Sequence, residues 1–345
     1  MGTPSTDAHD PDSEHAAAPD TLLVPALVNT GRWLLASGYH FTTVTPATQD
    51  RIIARPGMTQ ARSLRDVFGW SLPFDPALLP AEIRSALASA GLLTAAPGGL
   101  LRSEVRYSSL EGLLFAHSAY PTTARDAVFF GPDTCRFAAV IGRELERSPL
   151  GSGARIVDVG CGAGPGGLIA ARHSQGHVET LVADVSDRAL RFACANAELA
   201  GAQDVEFVRS DLLRNVHGEV DLLVCNPPYL KDASGRIYRD GGGRWGEALS
   251  LRVVREGLPR LAPGGRLVLY TGVPIVDGTD PFRAVLQAEL LQHGWPCTYR
   301  EVDPDVFGEE LAEPAYAEAE RIAAVALVVQ RPRGAQPFRR QQLVP

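Results

Sequence analysis

From about Arg155 to Gln330, short apolar runs alternate with longer segments of helical periodicity. Short apolar runs that end in Gly, Asp or Asn are typical of buried strands, and apolar residues three and four positions apart are typical of amphipathic helices. Strands that are repeatedly followed by helices predict a mostly parallel sheet with helices on both faces. The predicted strands are RIVDVG, HVETLVADV, VEFVRSD, VDLLVCN, GRLVLYTG and IAAVALVVQ, and the predicted helices are SDRALRFACANAELAG, residues 247–261 and PFRAVLQAELLQHG.

Residues 21–147 have a different pattern, in which helical periodicity dominates. The segment PAEIRSALASAGLL predicts an amphipathic helix, and alternation around 100–107 and 112–117 predicts two strands joined by a short turn. A helix followed by a small hairpin is typical of a winged helix that docks on nucleic acid, and equally of a lid or docking domain that does not. Four arginines in this region give either a basic face or an ordinary solvated surface: Arg51, Arg55, Arg62 and Arg65.

Composition indicates where the domains begin and end. The opening MGTPSTDAHDPDSEHAAAPD is acidic and rich in Pro and Ala, without the basic start or apolar centre of a secretory signal. A Ser, Pro and Gly-rich stretch, SPLGSG, separates the helical region from the first strand of the alternating region. We therefore predict a flexible tail at 1–20, a helical or winged-helix-like substrate-recognition domain at 21–125, the doubly wound domain at 126–332 and a basic tail at 333–345.

Length and charge narrow the class of protein. A chain of 345 residues with 45% hydrophobic and 21% charged side chains is long enough for two domains and has a globular composition. The net charge is −7, and Lys231 is the sole lysine among 33 basic side chains. An acidic balance disfavours a protein whose main task is to bind phosphate backbones. No apolar run reaches the length of about 18 residues that a membrane helix needs, so we expect no membrane association.

The five cysteines occur singly, without CxxC spacing, and their number is odd. This usage is typical of reduced thiols in a cytosolic protein. We therefore expect a cytoplasmic location, no disulfide and no metal site.

A glycine-rich turn follows the first strand of the alternating region. Asp158, Gly160, Gly162 and Gly164 form D-x-G-x-G-x-G between the strand RIVDVG and the next helix. Glycines permit positive φ and let a ligand approach bare backbone, and ligands of doubly wound sheets bind beyond the carboxyl ends of the strands. By itself this turn is compatible with a dinucleotide site, a nucleoside site or a tight packing corner.

Two further carboxylates end the following strands. Asp184 lies where a carboxylate can accept both hydroxyls of a ribose, and Asp211 lies within reach of an adenine amino group. Each could instead cap a helix, but at three successive strand ends the acids form a nucleoside cradle. Asp158 would repel a pyrophosphate and tolerates a sulfonium cation better. The predicted cofactor site comprises Asp158, Gly160, Cys161, Gly162, Gly164, Asp184, Val185, Ser210, Asp211, Leu212 and Asn226.

The fourth strand, VDLLVC, ends at Asn226-Pro227-Pro228-Tyr229. A planar nitrogen that bears hydrogens can donate one to the Asn226 side chain and one to the Pro227 carbonyl. Prolines hold φ at about −65° and offer no competing N–H, and the Tyr229 ring can stack on the planar group. These four residues are the predicted catalytic group for methyl transfer from a sulfonium to nitrogen, a displacement accelerated mainly by positioning. The alternative is an ordinary strand-ending turn.

Together these motifs resemble the class I S-adenosylmethionine-dependent methyltransferases, and within them the HemK/PrmC-like group of N5-glutamine methyltransferases. VDVGCGAG is similar to the cofactor loop of that family, VADVSDRALRFACANA to its second-strand motif, VRSD to its adenine-side motif and NPPY to its catalytic motif. The resemblance covers about residues 129–330. It implies a seven-stranded Rossmann-like domain, S-adenosyl-L-methionine as methyl donor, S-adenosyl-L-homocysteine as product, and no metal.

Two flanking segments extend the resemblance. FFGPDTCRFA at 129–138 is similar to the family segment that closes over the cofactor, although Gly131 and Cys135 replace its usual Arg and Glu. YRDGGGRWGEALSLRVV resembles an insert that shapes the substrate pocket, which makes Tyr238 and Asp240 candidates for lining that pocket beside Tyr229; an ordered surface loop is the alternative. The first 120 residues do not match the release-factor-binding domain of the group.

Three functions follow from these patterns. The first is an N-methyltransferase acting on a planar amide or amine nitrogen, for which a protein glutamine is one acceptor. Because NPPY also occurs in enzymes that methylate adenine N6, guanine N2 or small molecules, a nucleic-acid base methyltransferase and a small-molecule N-methyltransferase are alternatives. A third, a non-catalytic binding protein, has no use for paired acceptors beside a methyl group. The sequence leaves the acceptor, the partner of the N-terminal domain and the oligomeric state open.

Overall fold

A computed structural model describes residues 19–232 and 235–334. The predicted tails at 1–20 and 333–345 lie outside these residues except at their inner two positions. The α-helices of the described residues are α1 (Pro19–Ala36), α2 (Pro46–Ile53), α3 (Leu64–Phe68), α4 (Ala81–Ser89), α5 (Pro132–Arg147), α6 (Pro165–Arg172), α7 (Asp187–Ala200), α8 (Ala248–Gly257) and α9 (Pro281–His293). The strands are β1 (Leu93–Ala96), β2 (Leu100–Ser103), β3 (Val105–Leu110), β4 (Leu113–Ser118), β5 (Arg155–Val159), β6 (Glu179–Asp184), β7 (Val205–Arg209), β8 (Val220–Cys225), β9 (Leu261–Ile275), β10 (Cys297–Asp303) and β11 (Arg321–Gln330).

A seven-stranded sheet, in the order β10-β11-β9-β8-β5-β6-β7, forms the centre of the second half of the chain. Strands β9, β8, β5, β6 and β7 run parallel to one another, and β11 and β10 are antiparallel additions at one side. The prediction of a mostly parallel, seven-stranded sheet is therefore confirmed. The carboxyl ends of the parallel strands meet at one edge, where the predicted motifs lie.

Both faces of the sheet are covered by helices. On β5, Ile156 packs into a core with residues of α5 and α6, whereas its neighbour Val157 packs into a second core with residues of α8 and α9. Successive side chains of a strand point to opposite faces, so each face has its own apolar layer. Burial on both faces is what gives the parallel strands their nearly continuous apolar sequences.

The strand β10 is absent from the sequence predictions. Most of its side chains are exposed, and it pairs only with β11 at the edge of the sheet. This edge strand contributes only Tyr299 and Val302 to the apolar cores and carries no apolar run, so periodicity gives no signal for it.

Two antiparallel hairpins follow the first four helices, where the sequence predicted a single one. Strand β1 pairs with β2, and β3 pairs with β4. The predicted first strand, around 100–107, is therefore wrong in its bounds, because the chain ends β2 at Ser103 and begins β3 at Val105. The predicted helix α4 is present, but it leads into the unpredicted β1–β2 hairpin, and the β3–β4 hairpin follows.

The N-terminal region packs on α7 through α1 and β4. The fully buried amide of Asn196 on α7 accepts the N–H of Ala116 at 2.7 Å and donates to the carbonyl of Ala116 at 3.0 Å. The same amide nitrogen donates to the carbonyl of Ala163, in the glycine-rich turn, at 2.9 Å. One side chain thus joins the hairpin of the N-terminal region to the turn after β5.

None of the helices in 19–232 and 235–334 has both the length and the apolar character needed to cross a bilayer.

Candidate active site

The glycine-rich turn between β5 and α6 forms the floor of a cleft. Gly160, Gly162 and Gly164 have φ of +66°, +54° and +82°, a region that glycine enters without strain. A Cβ added at Gly160 or Gly162 would meet no atom within 4 Å outside the neighbouring residues. The backbone of the turn therefore faces open space into which a ligand fits.

Asp158 lies buried beneath this turn. Its Oδ2 accepts the N–H of Gly167, in the first turn of α6, at 2.8 Å. A Cβ at Gly166 would lie 2.7 Å from the same oxygen, so the close contact requires glycine there. Burial raises the pKa of Asp158 from 3.8 to about 7, which makes it an acid that titrates near neutral pH in the cleft.

Asp184, at the end of β6, holds the turn in its open shape. One carboxylate oxygen accepts the N–H of Gly162 at 3.0 Å and the other accepts the N–H of Ser186 at 2.9 Å. Ser186, rather than Asp184, caps α7, because its hydroxyl accepts the N–H of Ala189. Burial raises the pKa of Asp184. Each oxygen keeps a lone pair, so the predicted contact with ribose hydroxyls is compatible with these bonds.

The end of β7 supplies the third wall. Asp211 is half exposed at the rim, where its carboxylate pairs with the guanidinium of Arg252 at 3.2 Å. Ser210 and Leu212 are buried beside it, and all three line the cleft together with Val185 and Cys161. The structure thus brings the three strand ends together around one cavity, as the sequence predicted.

Asn226, directly after β8, lies in the same cavity. Its Oδ1 is buried and has no hydrogen-bond partner among the described residues. Pro228 also lines the cavity, whereas Pro227 is buried and is not one of the lining residues, so the acceptor role of its carbonyl stays a prediction. The cavity wall at this corner therefore contains a residue whose buried amide oxygen has no partner among the described residues.

Tyr229 does not lie where the stacking role requires. Its ring is buried in the core, where a Cβ at Gly272 would approach it to 2.5 Å, and it meets Tyr270 and Phe307 edge to face. It lines neither the cleft nor the neighbouring cavity described below. Tyr229 instead packs in the core directly after the corner, where its hydroxyl also interacts with Asp133.

The two residues expected in the substrate pocket have different positions. Tyr238 lines the cleft, stacks on Phe129 and donates its hydroxyl to the carbonyl of Thr122 at 2.6 Å. Asp240 does not line the cleft. Its carboxylate accepts the N–H of Gly242 within its own loop. Tyr238 therefore lines the cleft, where its role in substrate binding stays a prediction, and Asp240 bonds within its own loop.

The segment before and at the start of α5 contributes residues that the predicted site did not include. Phe129, Thr134 and Phe137 line the cleft. Their signal in the sequence was the segment FFGPDTCRFA, which resembles a closing segment, but no spacing rule identified the individual side chains.

Residues 138–271 match the methyltransferase small domain family. This part of the chain has the sequence of a methyltransferase domain. The match begins within α5 and ends in β9, so it contains the glycine-rich turn, all three acids and the Asn226 corner. The match is to a methyltransferase family, in line with the resemblance found in the sequence.

Curated relatives agree with that assignment. The chain is 36% identical over 168 residues to the release factor glutamine methyltransferase of Deinococcus radiodurans, a match that covers 45% of this chain and 55% of the relative. It is 34% identical over 146 residues to the ribosomal RNA small subunit methyltransferase C of Pasteurella multocida, covering 41% of this chain and 40% of the relative. The chain thus spans about half the length of these relatives.

Among solved structures, a tRNA m1G37 methyltransferase from M. jannaschii overlaps 67% of this chain and 58% of its own, with a TM-score of 0.43 and 16% identity. That likeness is too low to carry an inference about activity or substrate.

S-adenosyl-L-methionine is the cofactor of this methyltransferase domain. The residues present fit it, because open space lies above Gly160 and Gly162, carboxylates line the cleft, and Asn226, whose buried Oδ1 has no partner among the described residues, is part of its lining. Asp158 would face the cationic part of the cofactor, Asp184 would accept its ribose hydroxyls and Asp211 would accept its adenine amino group. In 19–232 and 235–334 no group of three or more His, Cys, Asp or Glu side chains is arranged to hold a metal ion.

Proposed function

We propose that this protein is an S-adenosylmethionine-dependent N-methyltransferase whose acceptor is the side-chain amide of a glutamine in a protein. The observation that carries this proposal is the unpaired, buried Oδ1 of Asn226 in the cofactor cleft. A buried acceptor without a partner costs about 1–3 kcal/mol, so its partner is expected to arrive with a ligand. The N–H of a planar amide is such a partner.

The corner that contains Asn226 would orient this amide. Its Oδ1 accepts one amide hydrogen and the carbonyl of Pro227 accepts the other, which aligns the nitrogen lone pair with the methyl group. When bound, S-adenosyl-L-methionine supplies an electrophilic methyl group on sulfur. Pro227 and Pro228 have no N–H that could compete for these acceptors. In the net reaction the nitrogen exchanges one hydrogen for a methyl group, and the proton leaves to water.

The relatives favour glutamine as the acceptor. Release factor glutamine methyltransferases occur among them from Deinococcus radiodurans and from Borreliella burgdorferi, the latter 28% identical over 126 residues. We infer a cytoplasmic location for the reaction, because all five cysteines are free, as in reducing compartments.

Transfer of an isotope-labelled methyl group from the cofactor into proteins of a cell extract tests the proposal. Mass spectrometry of the labelled product should find the methyl group on a glutamine side chain. Asn226→Ala should lower kcat by about 10²–10³-fold, the loss seen when one stabilising hydrogen bond is removed from an active site, while the Kd for S-adenosyl-L-homocysteine stays within a few-fold.

The matched control is Asn215→Ala, which removes an exposed asparagine that donates to the carbonyl of Arg209. It should leave both quantities unchanged. Label recovered on nucleic acid, or an Asn226→Ala variant that turns over normally once cofactor is bound, would contradict the proposal.

A further inference from the structure

A second cavity of about 550 Å³ lies between the N-terminal region and the methyltransferase domain. Phe129 and Tyr238 line both this cavity and the cofactor cleft, so the two spaces share a wall. Four arginines also line it, and they come from both parts of the chain: Arg106, Arg136, Arg236 and Arg239. We call it the arginine cavity.

Three of these arginines have carboxylate partners. Arg136 pairs with Asp133 at 3.2 Å and with Asp303 at 2.7 Å. Arg236 pairs with Asp232, and Arg239 pairs with Glu310. Their charges are therefore balanced within the fold.

Arg106, on β3, is different. Its side chain is 4% exposed, and no Asp or Glu oxygen of the described residues lies within 4.0 Å of it. Its Nε has no hydrogen-bond partner, and its Nη2 makes a long contact of 3.5 Å with Oε1 of Gln49. The guanidinium carbon lies 5.3 Å from the centroid of the Phe41 ring. A cation–π contact of this kind orients the group but does not neutralise it.

The charge of Arg106 persists at neutral pH. Burial lowers its pKa from 12.5 to about 10, so the group stays protonated. His117, its cross-strand neighbour, has a pKa held well below 6.5, mainly by burial, and is neutral. The carboxylate of Asp50 is bound by the hydroxyl of Tyr120 at 2.6 Å. A buried, hydrogen-bond-deficient cation costs several kcal/mol, which a structural role alone does not explain.

Gln49 keeps this guanidinium in place. Its fully buried amide donates to the carbonyl of Trp70 at 2.8 Å, which turns Oε1 toward Arg106. The fold therefore holds a planar group with unused donors at the edge of the arginine cavity.

We propose that Arg106 binds a carboxylate of the methyl acceptor, carried by an acidic residue close to the methylated glutamine. This inference rests on the proposed function, because it places the acceptor in the arginine cavity, next to the cofactor cleft. A guanidinium without a partner can donate two parallel hydrogen bonds to the two oxygens of one carboxylate. The exposed acids Asp305 and Glu309 also line the cavity and disfavour a polyanion such as RNA.

The first test is thermal unfolding of the full chain, using acetate and inorganic phosphate as probes at matched ionic strength. Acetate should raise the Tm of the wild type in a saturable way and leave that of Arg106→Gln unchanged. Without anion, Arg106→Gln should melt at or above the wild-type temperature, because an unbalanced buried charge has been removed. Arg51→Gln, on an exposed position of α2, is the control and should respond as the wild type does.

Two results would overturn the assignment. If Arg106→Gln melts lower without anion and responds to acetate as the wild type does, Arg106 has only a structural role. If phosphate stabilises the wild type more than acetate through Arg106, the ligand group is a phosphate.

The second test uses the labelled protein recovered from the extract. An Asp or Glu should flank the methylated glutamine, and Arg106→Gln should raise KM for that protein at least tenfold with kcat largely retained. A methylated glutamine without an acidic neighbour overturns this inference and leaves the proposed function intact. Label found only on nucleic acid removes the proposed function, and the acetate titration then decides alone whether Arg106 binds carboxylates.

Discussion

The rings of Phe129 and Tyr238 lie parallel, with 5° between their planes and 6.1 Å between their centroids. Phe129 precedes α5, and Tyr238 lies in the loop that follows the Asn226 corner. Since both side chains line the cofactor cleft and the arginine cavity, the pair forms the partition between them. A methyl acceptor that enters from the arginine cavity must contact this partition before it reaches Asn226.

Shortening Tyr238 should therefore affect the acceptor more than the cofactor. We expect Tyr238→Ala to raise KM for the acceptor about tenfold, because the acceptor loses its contact with the Tyr238 ring. A tenfold change corresponds to about 1.4 kcal/mol of binding free energy. The Kd for S-adenosyl-L-homocysteine should change less than threefold. Steady-state kinetics and calorimetric titration measure the two quantities.

Tyr238→Phe is the matched control for the ring. It keeps the stack on Phe129 and loses the hydroxyl, which donates to the carbonyl of Thr122 and also interacts with Arg236; a hydrogen bond of this kind is worth about 1 kcal/mol of stability. Its KM should stay near the wild-type value. Equal KM increases in both variants would show that the hydroxyl, rather than the partition, matters.

Gly162 and Gly201 offer a paired test of the cofactor floor. Both have positive φ, +54° and +65°, and a Cβ at either would meet no atom within 4 Å. Alanine at either position should cost about 1–2 kcal/mol of backbone strain. Only Gly162→Ala should also weaken binding of S-adenosyl-L-homocysteine, by tenfold or more, because its methyl group enters the cleft.

Thermal unfolding and calorimetric titration of both variants check this expectation. Gly201 caps α7 at its C-terminus, outside the cleft, so its variant reports the strain alone. Equal cofactor affinity in the two variants would mean that the ligand does not lie over Gly162.

The parts of the fold that the sequence predicts well are those where one local rule decides the outcome. The run from Ile156 to Val159 is buried on both faces and must be a central strand, and the glycines after it have a conformation that other residues avoid. The spacing of Asp184 and Asp211 then follows from the topology, because parallel strands end at one edge. For these residues local pattern and tertiary structure agree.

The parts that escaped prediction depend on contacts distant in the chain. Whether the ring of Tyr229 faces a ligand or the core is decided by Gly272, on another strand, whose missing side chain makes room for it. The sequence around Arg106 does not show whether a carboxylate distant in the chain lies next to it. Only the three-dimensional structure shows that Arg106 has no such partner among the residues it describes. The exposed strand β10 has no apolar pattern and is defined by its pairing with β11.

The raised pKa of Asp158 predicts a pH dependence of stability. Because burial lifts the folded-state pKa from 3.8 to about 7, the folded protein binds more protons than the unfolded chain between these values. Its free energy of unfolding should therefore fall as pH rises toward 7 and level off above it. Denaturant titrations of cofactor-free protein across this range, with Asp158→Asn as comparison, measure the slope.

Asp158→Asn should flatten that slope without abolishing it, since burial also raises the pKa of Asp184. Cofactor affinity should show the opposite trend. The ionised Asp158 attracts a cationic ligand, so S-adenosyl-L-methionine should bind more tightly as pH rises through 7, and less so in Asp158→Asn. A wild-type affinity independent of pH would place the cationic part of the cofactor away from Asp158.

Asn196 should couple the N-terminal region to the cofactor site. Asn196→Ala leaves the N–H and carbonyl of Ala116 and the carbonyl of Ala163 without their partner. Buried groups that lose their partners cost about 1–3 kcal/mol each, so we expect a loss of roughly 3 kcal/mol or more in the free energy of unfolding. Because Ala163 belongs to the glycine-rich turn, the Kd for S-adenosyl-L-homocysteine should rise as well.

Asn215→Ala, which removes a single exposed hydrogen bond, should cost less than about 1 kcal/mol and leave cofactor affinity unchanged. Denaturant unfolding and calorimetric titration of the two variants separate stability from binding. Suppose Asn196→Ala lowers the free energy of unfolding while its cofactor affinity equals that of the wild type. The Asn196 amide then stabilises the contact between the N-terminal hairpin and α7 but does not determine the shape of the glycine-rich turn. A rise in Kd that exceeds the effect of general destabilisation means that docking of the N-terminal hairpin sets the geometry of the cofactor floor.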